Sequence, residues 1–168
     1  GYRFTRWSMA SFHENGQPYV NTEHLFDFSQ EFIDKYFPYC IEMARAFVQP
    51  KYQSAQAGRK ALFALDNLWD GIGGLVASDP SVKYLAGKVT IYSSSPEISR
   101  KAMIYYLDMC FGDRKGLITS KNPETCTPEQ EKMFKEMFTG ATYKENYQIL
   151  NNFVKSLDDT IPPLIHSY

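Results

Sequence analysis

Hydrophobic positions alternate with polar ones in some segments of the chain and recur every third or fourth residue in others, which separates predicted strands from predicted helices. Residues Tyr2–Ser8 alternate aromatic side chains with Arg or Thr, and this predicts a strand with one buried face. Tyr39–Val48 and Lys83–Tyr92 predict two further strands. Between the first and second strands, His13–Thr22 holds Asn, Gly, Gln and Pro, which predict a loop, and a short helix is expected around Gln30–Tyr36.

The clearest helical pattern covers Arg59–Ser78. Apolar side chains recur there at three- and four-residue steps and are expected to pack on the sheet: Leu62, Leu65, Trp69, Ile72 and Val76. Three glycines fall in the last turns of this helix, namely Gly71, Gly73 and Gly74. Each glycine weakens a helix by about 1 kcal/mol relative to Ala. We therefore expect close packing at these positions to compensate.

Two start signals mark later helices. Ser95 and Pro96 predict an N-cap followed by a proline at the first helical position, which opens a helix over Glu97–Phe111. Thr127–Gln130 is a predicted capping box that opens a helix through about Phe138. A further amphipathic helix is marked by Tyr147, Leu150, Val154 and Leu157. This order of strands and helices predicts a mixed α/β fold, with a mixed sheet flanked by helices.

Composition narrows the class of protein. The 168 residues are 43% hydrophobic and 15% aromatic, which excludes disorder and fits one domain over 1–168. A net charge of −1 offers no broad basic field, so no nucleic-acid partner is expected. No apolar stretch approaches the ~20 residues of a membrane span. Three widely spaced cysteines without a CxxC pair indicate neither a disulfide framework nor a metal site, and they favour a reduced, cytoplasmic compartment.

The second predicted strand carries a carboxylate among small side chains. Cys40, Glu42 and Ala44 share one face, and the small neighbours leave room for a ligand against it. The following loop runs directly into the long helix, whose N-terminus would present free backbone N–H groups to a phosphate. Arg59 and Lys60 would add positive charge there. Such loops are common, so this pattern alone identifies no ligand.

Four short motifs stand in the same order as in a known enzyme family. Glu42–Tyr52 (EMARAFVQPKY) resembles the strand motif E-L-G-R-x-x-V-x-P-x-Y. Gly1–Phe4 (GYRF) is similar to G-x-Y-R shifted by one residue, and Glu23–Asp27 (EHLFD) to E-x-x-F-D. Ile161–Tyr168 (IPPLIHSY) resembles P-P-L-(L/I)-x-x-Y. Together these motifs resemble the GNAT-type N-acyltransferases that make amino-acid lipids, the ornithine- and glycine-lipid synthases often labelled as hemolysins.

The resemblance implies a GNAT-like acyltransferase fold and a particular reaction. A fatty acyl group with a 3-hydroxyl moves to the α-amine of an amino acid, glycine or ornithine, and gives an aminolipid. The implied partner is acyl carrier protein, whose acyl-phosphopantetheine is the donor substrate, with acyl-coenzyme A as the other donor and no bound cofactor. The resemblance further implies a bacterial, cytoplasmic enzyme peripheral to the inner membrane. It also implies a fragment that lacks family elements at both ends, including the first ones.

The resemblance places the donor beside the second strand and the loop that follows it. The thioester arm is expected next to Phe47 and Val48. The donor phosphate is expected near Gln53, Gln56, Ala57, Gly58 and Arg59. The GNAT loop pattern is Q/R-x-x-G-x-G/A, and Gln56 stands where its first glycine is expected. This departure favours a carrier-protein donor over coenzyme A.

Glu42 acquires a catalytic role from the same resemblance. Attack on a thioester needs a neutral amine, so a carboxylate that accepts the amine's proton, directly or through water, promotes the reaction. Arg45 is the second catalytic candidate, and Glu23 and Asp27 are candidates for holding or orienting the acceptor. The alternative is a structural ion pair between Glu42 and Arg45. Such a pair would need a bulge, because the two residues point to opposite faces of a regular strand.

Other candidates weigh less. His24 is expected at the surface or half-buried, and Cys40 is expected to be a small buried thiol without a histidine partner. Tyr105 or Tyr106 could protonate the leaving thiolate, although core packing is the stronger expectation on an apolar helix. Two other functions stay open. One is a coenzyme-A-dependent N-acetyltransferase, or a relative of homoserine-lactone synthases, and the other is a non-catalytic lipid- or protein-binding module of the same fold.

Overall fold

The computed structural model describes residues 3–45, 47, 49, 50 and 64–167. The chain divides into two compact units, Gly1–Lys88 and Val89–Tyr168, and each has a hydrophobic cluster of its own. One acyltransferase domain over 1–168 stays a prediction. No helix in the described ranges is long and apolar enough to cross a membrane.

The first unit is built on a mixed sheet. Its elements are β1 (Arg3–Arg6), a 3₁₀ turn (Trp7–Met9), β2 (Phe26–Phe28), α1 (Gln30–Lys35), a second 3₁₀ turn (Phe37–Tyr39), β3 (Cys40–Ala44), α2 (Ala64–Ser78) and β4 (Tyr84–Gly87). β3 lies between β1, to which it is antiparallel, and β4, to which it is parallel. A parallel pair needs a crossover connection, and the one between β3 and β4 contains α2. The predicted mixed α/β fold is therefore confirmed, and it is consistent with a GNAT-like architecture.

β1 is shorter and more exposed than its sequence pattern predicted. The alternation over Tyr2–Ser8 indicated one buried face, but the first three residues of the strand are exposed and the strand ends at Arg6. Burial comes instead from Trp7, which is 2% exposed at the start of the 3₁₀ turn. The prediction was wrong at the C-terminal end of this strand, where the chain enters the 3₁₀ turn that carries the buried indole of Trp7.

β3 and β4 also end earlier than their sequence patterns predicted. Arg45 has a left-handed backbone with φ of 53°, so β3 ends at Ala44 rather than at the predicted Val48. Among the described residues, the β3–β4 pairs run from Cys40 and Tyr84 to Met43 and Gly87. β4 covers four residues of the predicted strand Lys83–Tyr92.

One face of β3 packs against α2 in a hydrophobic cluster. The cluster consists of Ile41, Met43 and Val82, with Ile72, Leu75 and Val76 of α2 packed against them. Ile72 thus packs on the sheet as predicted. Leu62 and the side chain of Leu65 lie outside the described residues.

The glycines in the last turns of α2 are not closely packed. A Cβ built on Gly73 or Gly74 would meet no heavy atom within 4 Å. The prediction of compensating close packing is therefore wrong at both positions, because this side of the helix faces open space. Close packing at Gly71 stays a prediction.

The second unit is mainly helical. Its elements are α3 (Glu97–Phe111), β5 (Ile118–Ser120), α4 (Pro128–Met137), α5 (Tyr143–Ser156) and α6 (Pro163–Ser167). The helices meet in a buried cluster of Ala102, Met103, Tyr106, Phe134, Phe138, Leu150 and Val154. The span predicted for α3 is confirmed, since its apolar pattern is local and nearly continuous.

The helix starts in this unit depend on where their hydroxyl groups bond. Thr127 Oγ1 accepts from the N–H of Gln130 at 3.3 Å, and Gln130 Oε1 accepts from the N–H of Thr127 at 2.9 Å, which confirms the capping box. The sequence predicted Ser95 as the N-cap of α3, and this prediction is wrong. Pro96 holds that position without a side-chain cap, and Ser95 Oγ donates to Asp159 Oδ1 at 3.1 Å. The Ser95 hydroxyl therefore makes a tertiary hydrogen bond in place of a local cap on the helix.

Candidate active site

Glu42 occupies the middle strand of the mixed sheet. Thr5 of β1 and Ala86 of β4 lie directly opposite it. Residues directly opposite each other in a sheet project to the same face, so Glu42 has small neighbours across the sheet as well as along β3. The carboxylate residue is nevertheless buried, with 2% of its surface exposed.

The indole of Trp7 accounts for part of this burial. Trp7 Nε1 donates a hydrogen bond to Glu42 Oε2 at 3.0 Å. A buried carboxylate without hydrogen-bond donors would be costly, and this N–H is one compensating donor. A carboxylate has about four accepting sites, so the bond leaves Glu42 with capacity to accept another hydrogen. The sequence did not predict this contact, because Trp7 and Glu42 are 35 positions apart and no local pattern joins them.

Three phenylalanine rings hold the indole in place. Trp7 stacks on Phe37, with ring centroids 5.0 Å apart and an interplanar angle of 18°. Phe28 and Phe32 meet it edge-on, at 5.7 and 6.1 Å. All four residues are buried. Because Phe28 directly follows Asp27, the segment that carries this predicted acceptor residue packs against the tryptophan that bonds to Glu42.

Arg45 does not pair with Glu42. Its side chain is exposed, and none of the ion pairs within the described ranges joins the two residues. The alternative of a structural ion pair is therefore not supported. Arg45 instead stands at the left-handed turn that ends β3.

Glu23 has a partner that the sequence did not predict. Its Oε2 lies 2.9 Å from Nε2 of His13, whose ring packs beside Tyr19 with centroids 4.8 Å apart. His13 lies in the loop before the matched motif, and no spacing rule pointed to it. Asp27 is exposed within β2, and His24 is exposed, as predicted.

The predicted donor site can be located at one residue. Phe47 follows β3 and is 55% exposed. The remaining predicted donor residues lie outside the described residues: Val48, Gln53, Gln56, Ala57, Gly58 and Arg59. The phosphate loop therefore stays a prediction.

Two other nucleophilic or acidic candidates are structural. Burial raises the pKa of the Cys40 thiol to about 12, so almost none of it is thiolate at neutral pH. Burial also raises the pKa of Tyr106 to about 12. Its hydroxyl donates to the carbonyl oxygen of Tyr143 at 3.0 Å, which ties α3 to the start of α5. Core packing, the stronger expectation for this tyrosine, is confirmed.

These observations define a mixed α/β protein with one oriented, buried carboxylate on its middle strand, which is a side chain that general acid–base enzymes use. No family model matches the chain, and no solved structure matches it. Two curated proteins do. They are the glycine N(alpha)-acyltransferases of Phocaeicola vulgatus and Bacteroides thetaiotaomicron, each 44% identical over all 168 residues of this chain.

The match covers 51% of the first relative and 50% of the second, so the chain spans about half the length of the curated relatives it matches. The chain is homologous to these N-acyltransferases over its whole length. The resemblance to amino-acid N-acyltransferases that four motifs predicted is thereby confirmed.

Proposed function

We propose that the complete protein is an N-acyltransferase that moves a 3-hydroxy fatty acyl group from acyl carrier protein to the α-amine of glycine. The observation that carries this proposal is the 44% identity, over every residue of the chain, to two glycine N(alpha)-acyltransferases. The product is an N-acylglycine lipid. Such a product is amphipathic, so we place the reaction at the cytoplasmic surface of the inner membrane.

The proposed reaction forms one amide bond and breaks one thioester bond. The glycine ammonium first loses a proton, and the neutral amine attacks the thioester carbonyl carbon. The tetrahedral intermediate then collapses, the C–S bond breaks, and the phosphopantetheine thiolate takes up a proton. Of the two protons that leave the nitrogen, one ends on the thiol and the other is released.

Glu42 is the proposed general base. Trp7 engages Oε2, and the remaining accepting capacity of the carboxylate is available to the amine, either directly or through water. A positioned base of this kind contributes a factor of roughly 10²–10⁴ to the rate. Arg45, at the end of the same strand, is proposed to act on the developing oxyanion or on the acceptor carboxylate.

The two acidic residues of the second matched motif are proposed to orient the acceptor. Glu23 and Asp27 would attract the glycine ammonium before it is deprotonated. Glu23 is 31% exposed at its side chain beside His13, so it is accessible to a small solute.

The test of the proposed base is Glu42→Gln in the complete protein. Glutamine keeps the shape of the side chain, and its amide oxygen can still accept from Trp7, so folding should persist. We expect kcat/KM for acyl transfer to fall by roughly 10²–10⁴-fold. Glu136→Gln, which makes the same change at an exposed position on α4, is the matched control and should leave transfer unchanged.

Two outcomes would contradict the proposal. Nearly full turnover of a folded Glu42→Gln variant would remove Glu42 from the mechanism. Mass spectrometry of lipids from cells that make the complete protein should show N-acylglycine. If only acylated ornithine were found, glycine would be the wrong acceptor. If only acetylated small amines were found, the fatty acyl group would be wrong.

A further inference from the structure

We propose that Trp7 is a positioning residue for Glu42: its indole N–H fixes one carboxylate oxygen so that the other faces the acceptor amine. The inference rests on the proposed role of Glu42 as the base. Trp7 follows the first matched motif and lies in none of the four. Neither the motifs nor the relatives' names point to it.

The chemistry of the pair gives the hydrogen bond a fixed polarity. An indole N–H can only donate, so Trp7 holds Oε2 without ever competing for the proton that Glu42 is to receive. A lysine or arginine in the same place would hold the carboxylate as an ion pair and weaken its ability to accept a proton. A neutral donor orients the base at a smaller cost to its basicity.

The surrounding fold holds the indole of Trp7 in one orientation. Thr5 lies directly opposite Glu42, and Trp7 is two residues further along the same chain, on the side of the sheet that Glu42 faces. Phe37 stacks on the ring while Phe28 and Phe32 close its edges. Catalytic groups need support of this kind, from side chains whose own rotamers are locked by packing.

Two roles must be separated by experiment. If Trp7 only satisfies a buried carboxylate, its loss lowers stability and affects activity in proportion to the unfolded fraction. If Trp7 orients the base, its loss lowers the rate of the folded enzyme only while Glu42 is present.

The first experiment is Trp7→Phe in the complete protein, with Trp69→Phe on α2 as the matched control. We expect kcat/KM at neutral pH to fall about 10–100-fold, the effect of losing a hydrogen bond to a charged group. Trp69→Phe should not reproduce this loss. In a Glu42→Gln background, Trp7→Phe should cause little further loss, because the two residues act as one unit.

The second experiment does not depend on activity or on a folded Trp7→Phe variant. In the complete protein with ¹⁵N-labelled tryptophan, one indole N–H resonance should shift in Glu42→Gln and remain fixed in Glu136→Gln. That resonance should be retained in Trp69→Phe.

The outcomes distinguish this inference from the proposed function. An inactive Glu42→Gln variant together with an unshifted indole resonance would overturn the inference and leave Glu42 as the base. Equal losses from Trp7→Phe in the wild-type and Glu42→Gln backgrounds would likewise reduce Trp7 to a structural residue. Full activity of Glu42→Gln would remove the base, and with it the role of Trp7.

Discussion

At the scale of single residues, Arg45 is both a catalytic candidate and a residue with a strained, left-handed backbone. A non-glycine residue in the left-handed region costs roughly 1–2 kcal/mol, and Arg45, with φ of 53°, directly follows the strand that carries Glu42. Such strain is commonly retained where the side chain is needed. The exposed guanidinium of Arg45 fits that interpretation.

Two substitutions separate the backbone of Arg45 from its charge. Arg45→Gly relieves the left-handed cost but adds flexibility to the unfolded chain, so the free energy of unfolding should rise by between about 0 and 1 kcal/mol. Acyl transfer should fall at the same time. Arg45→Lys keeps both the charge and the strain, and should retain more transfer with little change in stability. Urea denaturation and steady-state kinetics measure the two effects, and full transfer by Arg45→Gly would remove Arg45 from the site.

At the scale of elements, α2 carries two glycines that its packing does not require. Gly73→Ala should raise the free energy of unfolding by about 0.5–1 kcal/mol, because alanine favours the helix and the added methyl meets open space. Gly140→Ala is the contrasting variant. A Cβ there would lie 2.7 Å from Glu145 Cβ and 2.9 Å from Asn146 N, so it should destabilise the protein. Thermal denaturation compares the two, and a destabilised Gly73→Ala would show that something packs on α2 in solution.

A second element-scale feature ties the end of α5 to the start of α3. Asp159 accepts from Ser99 Oγ at 2.6 Å and from Ser95 Oγ at 3.1 Å. Burial raises the pKa of Asp159, but the hydrogen bonds from Ser99, the Thr160 N–H and Ser95 outweigh it and hold the pKa below its ordinary value of 3.8. The contact therefore stabilises the fold above about pH 4, and that stability is lost as the pH falls through the lowered value.

Substitution of Asp159 should make this pH dependence visible. Asp159→Asn is expected to lower the free energy of unfolding at pH 7 by about 1 kcal/mol, the usual size for a hydrogen bond to a charged group that is partly replaced. It should also flatten the loss of stability below pH 4. Asp158→Asn removes the same charge at the exposed neighbouring position and is the control. If Asp159→Asn and the unsubstituted protein lost stability in parallel below pH 4, Asp159 would not be the source of this pH dependence.

At the scale of the whole molecule, the proposed carrier-protein donor would have to be recognised through a local patch, because the chain is nearly neutral. The net charge is −1, and Lys51, Arg59 and Lys60 flank the predicted phosphate loop. For a carrier-protein donor, reversing Lys51 and Arg59 to glutamate should lower kcat/KM steeply. The unsubstituted rate should weaken with added salt, because charge steering is screened over about 8–10 Å at physiological ionic strength.

The choice of donor supplies the control for this charge reversal. Acyl-coenzyme A should be a poor donor, and transfer from it should respond weakly to salt. Equal use of the two donors, with little salt dependence, would instead favour a coenzyme-A-dependent acetyltransferase-like enzyme.

Local patterns were reliable where their signals lie within a few residues of one another. The span of α3, the capping box at Thr127 and the two faces of β3 all follow from neighbouring side chains, and the structure confirms each. Local reasoning failed where a distant group intervened. Ser95 does not cap α3 but bonds to Asp159, which lies 64 positions away from it in the chain.

The candidate site shows the same division. The sequence by itself determined that Glu42 stands among small residues on a strand, since alternation within a strand is a local property. Only the tertiary structure decided that Trp7 donates to this carboxylate, that His13 pairs with Glu23 and that β3 ends at Ala44, before the left-handed Arg45. The first two contacts join residues 35 and 10 positions apart, beyond the reach of a helix or strand period. The third depends on a left-handed backbone conformation, which is unfavourable for arginine. Such features arise when packing and strand pairing outweigh local preference, so no pattern along the chain contains them.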